Sequence, residues 1–413
     1  MLALSLASFF FKFKLKGANM SLTLESKLSL VPLEIRKDKK HYIVEDKISG
    51  EFYEMPEVCI DAINLINQNE QLSVIEGFLK DKYPSEKIDL VDFAKQLLEL
   101  ELINEIDGIK VEINEKNKES LGFLWLSPLL GKFFFNKIAL LIYSALFVSN
   151  IYLFISHPNL FPDYKDLFIF DYMMFNISAW MLITFILVLA HEFGHVLAIR
   201  ARNLPTKLEV GHRLFLVVLE TNMAAVWKLP SKERNVLYIA GLCFDTVILW
   251  LALICQLNFS SGSGIFLSIM NVVVLDTFIR IVYQCCVYMK TDLYYVFENV
   301  SGCYNLMENA QQVLKKWLPF QKSYLREDVI YESERKTVYL YSIIYFIGVI
   351  LTVALYFTFY IPQLLFASKK VLPGFLEGAT SFSFWDAVIF TMQIVIGLLL
   401  LLYSWRKKYF PNV

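Results

Sequence analysis

Apolar runs long enough to cross a lipid bilayer dominate the chain beyond residue 130. A helix needs about 20 predominantly apolar residues to span the hydrocarbon core. The chain has 413 residues, of which 56% are hydrophobic and 19% are charged. The runs predicted to span the bilayer are 138–156, 175–199, 236–257, 264–289, 337–360 and 384–404. Because backbone polar groups in lipid must be paired within the protein, these runs predict an α-helical polytopic membrane protein with about six transmembrane helices.

The distribution of Lys and Arg predicts the orientation of these spans, because basic residues concentrate in cytoplasmic loops. Basic residues flank the spans at Lys132, Lys137, Arg200, Arg202, Lys207, Lys290, Lys315, Lys316, Arg335, Arg406, Lys407 and Lys408. The alternate loops contain fewer of them: residues 158–174 have one Lys against three Asp, and residues 258–263 have no charge. Lys369 and Lys370 are exceptions. The pattern predicts that both termini lie in the cytoplasm.

The first 118 residues are soluble in character, and their pattern changes from strands to helices along the chain. The stretch "LSLVPLEIRKDKKHYIVEDKISGEFYEMP" alternates apolar and polar residues and predicts two or three short strands. Helical patterns follow in "EVCIDAINLINQ", "LSVIEGFLKDKYP" and "DLVDFAKQLLELELI". In the last segment the residues expected on one face are Val91, Phe93, Leu97, Leu98 and Leu102. Strands followed by helices predict a small N-terminal α+β, winged-helix-like domain.

Two histidines and a glutamate interrupt the second apolar run, in "FILVLAHEFGHVLAIR". An ionisable residue inside a span costs at least about 2–3 kcal/mol unless it is paired or bound to a metal. His191 and His195, at positions i and i+4, lie on one helix face and can share one zinc ion. Glu192 would then act as the general base that removes a proton from water. Gly194 leaves room for the close approach of another helix.

A catalytic zinc site usually has three protein ligands, so a third ligand must come from another segment. The remaining histidines of the membrane half are weak candidates. His157 lies on the outer side, and His212 belongs to "EVGHRLFLVVLETNMAAVWKLP", which is typical of a β-hairpin. A carboxylate is therefore favoured.

Three aspartates in or near the spans are candidates for this carboxylate. Asp276 has Arg280 four residues later and is expected to form an ion pair with it. Asp292 closes the fourth predicted span on the cytoplasmic side, where the second span also ends. Asp292 is therefore the first candidate, and Asp245, near the start of the third span, is the second.

These motifs resemble the site-2 protease family of intramembrane zinc metalloproteases, over roughly residues 130–310. The branch described as peptide zinc metalloproteases is the most similar, because it carries a pattern like N-x-x-P-x-x-x-x-D-G-Y-Y followed by a short acidic, Gly-containing tail that ends in N-L. The residues of this chain that follow the pattern are Asp292, Tyr294, Tyr295, Gly302, Asn305 and Leu306. The resemblance implies that His191, His195 and Asp292 bind zinc and that Glu192 is the catalytic base.

The chain departs from that pattern at three positions. Leu293 stands where Gly is usual, and Cys286 and Val287 replace the Asn and Pro region. These differences affect the expected helix break and the clamping of a substrate, and they leave the carboxylate of Asp292 in place.

The N-terminal segments resemble the PqqD-like domain, which binds leader peptides of ribosomally made, modified peptides. The similarity lies in "HYIVEDKISGEFYEM" and the two helical segments "INLINQNEQLSVIEGFLKDKYP" and "DLVDFAKQLLELELI". It implies that a leader peptide pairs with a strand edge around Phe52 and Tyr53 and rests on the helix between Leu90 and Leu98. A winged-helix-like module that holds another partner is the alternative.

These predictions give five regions. Residues 1–28 are an extension without an assigned role, in which Met1 or Met20 begins translation. Residues 29–118 form the peptide-binding domain, 119–137 an interfacial helix, 138–310 the protease core, and 311–413 a region with two further spans.

The predicted function is an intramembrane zinc endopeptidase of the bacterial plasma membrane that captures and cleaves a modified precursor peptide at a cytoplasm-facing site. The expected partners are this peptide with its leader segment and the lipid bilayer. A net charge of −1 gives no reason to expect a nucleic-acid partner. Two alternatives stay open: a non-catalytic receptor or export partner for such a peptide, and a regulated protease that cleaves a signalling protein. The sequence leaves the oligomeric state open.

Overall fold

The N-terminal segment folds into short strands and three helices. The computed structural model describes residues 22–111, 122–213, 216–259, 264–317 and 334–409. The strands here are β1 (Leu28–Leu30), β2 (Leu33–Asp38), β3 (His41–Asp46), β4 (Phe52–Met55), β5 (Ile103–Ile106) and β6 (Ile109–Lys110). The helices are α1 (Glu57–Asn67), α2 (Leu72–Lys82) and α3 (Leu90–Glu99). The strands form two antiparallel sheets, with orders β1-β5-β6 and β2-β3-β4.

The predicted helix at residues 89–103 is shorter than expected. Asp89 caps its start by accepting a hydrogen bond from the Asp92 backbone N–H, and the helix buries Phe93 and Leu97 as its apolar spacing predicts. Its end is set by Glu101, which adopts a left-handed φ of 61°. The chain after this turn becomes strand β5, which pairs with β1. The stretch predicted to hold two or three strands holds four, β1 to β4. The sequence gives no sign that β1 pairs with β5, because these strands are about 75 residues apart, beyond any local pattern.

The remainder of the described chain is mainly helical. Its helices are α4 (Pro128–Phe134), α5 (Lys137–Ser156), α6 (Met173–Ala201), α7 (Ser231–Tyr238), α8 (Ala240–Asn258), α9 (Gly264–Gln284), α10 (Asp292–Ser301), α11 (Leu306–Trp317), α12 (Arg335–Leu355), α13 (Ile361–Val371) and α14 (Phe382–Tyr409). Strands β7 (Leu208–Arg213) and β8 (Leu216–Thr221) form an antiparallel hairpin between α6 and α7. The β-hairpin predicted in this stretch is confirmed.

Six helical segments are long and apolar enough to cross a membrane. They are Lys137–Ser156, Met173–Ala201, Ser231–Asn258, Gly264–Gln284, Arg335–Glu377 and Phe382–Arg406. Large apolar side chains on their outer faces are exposed, as at Ile138, Leu141 and Ile155 of α5. Apolar surface of this extent is suited to lipid rather than water. The number and the approximate positions of the predicted apolar helices are confirmed.

Two of the predicted spans have different ends. The span predicted at 264–289 stops at Gln284, because residues 285–291 leave the α-helix and Lys290 adopts a left-handed φ of 54°. The span predicted at 337–360 instead continues through α13. A π-helical turn at Tyr356–Tyr360 joins α12 to α13 ahead of Pro362. The wider turn accommodates a proline that has no N–H and would otherwise crowd the preceding turn.

The interfacial helix predicted at 119–137 is shorter than expected. Its helical part is α4, which begins after Ser127, where the Ser127 hydroxyl accepts a hydrogen bond from the Leu129 N–H. Trp125 and Phe133 are exposed beside it, as an interfacial segment requires. The predicted boundary at 118–119 and most of the extension 1–28 lie outside the described residues.

Contacts divide the chain into two units, each discontinuous in sequence. The first comprises Met1–Ser120, Trp227–Ser231 and Glu298–Ile343, and the second comprises Leu121–Val226, Lys232–Phe297 and Ile344–Val413. In the first unit α1, α3 and strands β1 and β5 enclose an apolar core that includes Ile63, Phe93 and Leu97. The second unit contains the helices that surround the candidate metal centre.

Candidate metal centre

The central helix α6 presents the three polar residues of the HEFGH motif inside the second unit. His191, Glu192 and His195 are 5%, 7% and 1% exposed. Earlier turns of α6 expose large apolar residues such as Phe185 and Ile186, whereas the turns from His191 to Ala201 are almost entirely buried. The polar residues therefore lie in the part of α6 that neighbouring helices cover.

Three nitrogen and oxygen atoms meet at this point. His191 Nε2 lies 3.1 Å from Asp292 Oδ2, His195 Nε2 lies 3.2 Å from the same oxygen, and the two Nε2 atoms are 3.3 Å apart. Tetrahedral ligands about 2.0–2.1 Å from zinc are separated by roughly 3.3 Å. The donor set, two imidazoles and one carboxylate, and the edges of this triangle fit a zinc ion.

Each imidazole is oriented by a partner on its other nitrogen. His191 Nδ1–H donates to Asp245 Oδ2 at 2.7 Å, and His195 Nδ1–H donates to the backbone carbonyl of Leu237 at 2.9 Å. A carbonyl oxygen only accepts, so the proton of His195 is on Nδ1 and the lone pair is on Nε2. Both rings therefore present an unprotonated nitrogen to the triangle, as metal ligation requires.

Asp245, the second candidate for the third ligand, lies behind His191 rather than in the triangle. Its other carboxylate oxygen is 3.6 Å from Arg280 Nη1. Arg280 also pairs with Asp276, as the i, i+4 spacing predicts, and Thr184 donates a hydrogen bond to Asp276 at 2.6 Å. Asp276 is therefore engaged away from the triangle, and the geometry favours Asp292 over both other aspartates.

Asp292 begins α10 and is fixed there by the end of α9. Gln284 donates from Nε2 to Asp292 Oδ2 at 3.0 Å and accepts the Asp292 backbone N–H at 2.9 Å. Thr291 donates its hydroxyl to the Gln284 carbonyl at 2.8 Å. The break between α9 and α10 thus forms without the usual Asn and Pro residues, through polar contacts of Gln284 and Thr291.

Glu192 lies beside the end of the β7–β8 hairpin. Thr221, the last residue of β8, donates its hydroxyl to Glu192 Oε2 at 2.8 Å and lies 3.2 Å from the Glu192 carbonyl oxygen. Thr221 is 5% exposed. The candidate base is therefore held by the end of a strand.

Two glycines let α8 approach the motif helix closely. A Cβ on Gly194 would crowd the Ala240 carbonyl and the Phe244 ring, which explains its expected role in helix packing. A Cβ on Gly241 would overlap the imidazole of His191. The backbone of α8 at Gly241 is thus one wall of the site.

The two other histidines of the membrane half lie elsewhere. His157 contacts Ser156 at the exposed end of α5, and His212 contacts Ser404 of α14. Their absence from the triangle agrees with the preference for a carboxylate as the third ligand.

Sequence reasoning missed four residues that shape the site. Asp245 was assigned a different role, and Gly241, Gln284 and Thr221 were not considered. The available signals were a buried amide at the end of an apolar run for Gln284 and an Asp within a span for Asp245. No local pattern marks Gly241 or Thr221, because their partners lie 50 and 29 residues away, on α6.

The three ligating atoms, the two oriented imidazoles and the adjacent glutamate together define the candidate metal centre. Comparison with protein-family models, with curated proteins and with solved structures gives no match for this chain.

Proposed function

We propose that the chain is a membrane-embedded zinc endopeptidase in which His191, His195 and Asp292 bind the metal and Glu192 is the general base. The observation that carries the proposal is the triangle of ligating atoms, with edges of 3.1, 3.2 and 3.3 Å, on buried residues. Burying two imidazoles and a carboxylate within an apolar helix bundle is costly unless a metal or partners compensate.

A catalytic role fits this site better than a structural one. Structural zinc sites usually have four protein ligands, whereas catalytic sites have three and an open position. Within the described residues the cluster contains three ligating side chains, and an acid–base residue is adjacent. Bound zinc supplies a Lewis acid that polarises a peptide carbonyl and makes water more acidic.

The residues of the chain have separate tasks in this proposal. Glu192 accepts the proton of the attacking water on its carboxylate and returns it to the leaving amine. Thr221 positions that carboxylate through its hydroxyl. Asp245 and the Leu237 carbonyl hold the imidazoles in the required tautomer and orientation.

The proposed substrate is a peptide in extended form at the scissile bond. A helical carbonyl is already hydrogen-bonded, so the bond must be unwound before attack. Among the described strands, β7 and β8 pair only with each other, and β8 ends at the residue that contacts Glu192. Pairing with a strand edge would hold the peptide extended.

The N-terminal domain is proposed to capture the leader segment of a modified precursor peptide. Strand β4, which contains Phe52 and Tyr53, lies at an edge of its sheet and pairs with β3 alone among the described strands. Tethering the leader raises the effective concentration of the cleavable segment at the metal centre. Cleavage would occur on the cytoplasmic side of a bacterial plasma membrane.

The test is cleavage by Glu192→Gln, because this change keeps the shape of the side chain and removes its basicity. The purified protein in detergent is assayed with a quenched-fluorescent peptide library, and its zinc content is measured in parallel. We expect unchanged zinc and a loss of cleavage of at least about 100-fold. The control is Glu233→Gln, a half-exposed carboxylate paired with Arg202, which should cleave normally.

Cleavage at the wild-type rate by Glu192→Gln would refute the role of Glu192. Zinc-loaded wild-type protein that binds peptides and releases no fragments would instead support the non-catalytic receptor. Cleavage confined to transmembrane segments of other proteins would favour the regulated signalling protease.

A further inference from the structure

A second group of metal-ligating side chains lies in the first unit, apart from the candidate metal centre. His41 begins β3, Glu54 lies in β4, and Glu334 directly precedes α12. One ligand atom from each side chain lies within 4.8 Å of the others. His41 Nε2 is 3.0 Å from Glu334 Oε1 and 3.9 Å from Glu54 Oε1. The first spacing is within the range of two ligands about 2.0–2.2 Å from one ion, whereas the second exceeds the roughly 3.4 Å of tetrahedral ligands, so Glu54 would move towards the ion by about half an ångström.

All three side chains are withdrawn from solvent. The side chains of His41, Glu54 and Glu334 are 8%, 9% and 2% exposed. Glu54 Oε1 is buried and has no hydrogen-bond partner among the described residues, since His41 Nε2 is too distant to donate to it. An unpaired carboxylate oxygen in the interior is unfavourable. An ion bound between these side chains would satisfy it.

Further carboxylates surround this group. Asp38 and Glu298 are 6% and 7% exposed. The negative charges of Glu334, Glu298 and Asp38 all act on Glu54. A divalent cation is the ligand that best compensates several buried carboxylates at one place.

We propose that His41, Glu54 and Glu334 bind a divalent transition-metal ion, zinc or manganese, through one imidazole nitrogen and two carboxylate oxygens. Imidazole favours transition metals over Mg²⁺ and Ca²⁺, and carboxylates are suitable ligands for zinc and manganese. The ion would join two adjacent strands to the residue before α12. Three protein ligands leave one position for water. The role assigned to this ion is nevertheless structural, because the ion fixes segments of the first unit that are 293 residues apart. This role does not depend on the proposed protease activity.

The test uses zinc as the probe and the full-length protein in detergent. The background variant His191→Ala/His195→Ala removes the candidate catalytic ligands, so remaining zinc reports on the second site. After treatment with a chelator, zinc and, in a parallel sample, manganese are titrated, and the metal retained after desalting is measured. We expect about one zinc ion per chain in this background and at least about a tenfold loss of affinity after adding Glu54→Gln.

The matched control is Glu45→Gln in the same background. Glu45 is a buried carboxylate on the same strand as His41, but it pairs with Lys47 and Lys228. The Glu45→Gln variant should therefore retain the zinc. Glu334→Gln provides a second variant of a proposed ligand, and thermal unfolding provides a second measurement. Zinc should raise Tm of the background protein and leave Tm of both ligand variants unchanged.

The proposal is overturned if the background protein retains neither zinc nor manganese. It is also overturned if Glu54→Gln, Glu334→Gln and Glu45→Gln all bind the metal equally well. Loss of the metal in Glu54→Gln and Glu334→Gln alone supports it.

Discussion

The orientation of His191 depends on one residue on each side of its ring. Asp245 accepts the Nδ1–H, and Gly241 leaves the space that the ring occupies. Asp245 is 1% exposed and also lies near Arg280. The carboxylate of Asp245 therefore contacts a proposed metal ligand, His191, rather than the metal itself. Partners of this kind typically change metal affinity by about 10–100-fold.

We expect Asp245→Asn to weaken zinc binding at the HEFGH site by about 10–100-fold, because the neutral amide is a poorer acceptor for the His191 Nδ1–H. Competition with a zinc-selective chelator measures the affinity in the Glu54→Gln background. Asp276→Asn is the control, since it alters the other carboxylate beside Arg280 and leaves His191 untouched. Equal zinc affinity in both variants would contradict the assigned role of Asp245.

At the residue scale, the sequence predicted the proposed ligands better than their supports. The i, i+4 spacing of His191 and His195 is a local property of a helix, and a charged motif in an apolar run is conspicuous. The Asp245 contact depends on how α8 packs against α6. Neither helix has a sequence pattern that predicts this packing. The hydrogen bond between Asp245 and His191 could therefore not be predicted from the sequence.

The break between α9 and α10 is the element that brings Asp292 to the histidines. Residues 285–291 turn the chain, and Gln284 contacts both the side chain and the backbone of Asp292. The predicted span at 264–289 extended through this break because its residues are largely apolar, and hydropathy does not register a change of backbone direction. Hydropathy located the six apolar helices, because length and apolarity are properties of a continuous segment. Strand β5 was not located, because it pairs with β1, which is distant in the sequence.

We expect Gln284→Leu to lower zinc affinity at the HEFGH site, because Asp292 loses two hydrogen bonds that fix it. Removing a hydrogen-bond partner of a metal ligand typically lowers metal affinity by at least about tenfold. Gln256→Leu is the control: Gln256 is also a buried glutamine, but it donates to Asn271 within the α8–α9 pair. The same zinc competition assay applies. An affinity that falls equally in both variants would indicate a general loss of helix packing.

For the whole molecule, six apolar helices and the distribution of basic residues predict an even number of crossings, with both termini on the same side. The same prediction places the loop between α5 and α6 on the non-cytoplasmic side. The prediction of this orientation depends on the positions of Lys and Arg in the loops.

We expect a cysteine at Lys165, in the loop before α6, to react with a membrane-impermeant thiol reagent in intact cells. A cysteine at Lys80, which is exposed on α2, should react only after permeabilisation. Labelling is compared with the unsubstituted chain, whose own six cysteines set the background. Labelling of Lys80→Cys in intact cells would reverse the predicted orientation.

The discontinuity of the first unit has a consequence for the order of events during synthesis. Arg36 of β2 donates hydrogen bonds to the carbonyls of Trp227, Lys228 and Leu229, and His41 of β3 meets Glu334. The ribosome makes these partners 191 to 293 residues later. At about 5–20 residues per second, the wait for Glu334 is roughly 15–60 s. The β2–β3 hairpin therefore leaves the ribosome before these partners of Arg36 and His41 exist, and four helices that are long and apolar enough to span a membrane are made before Glu334.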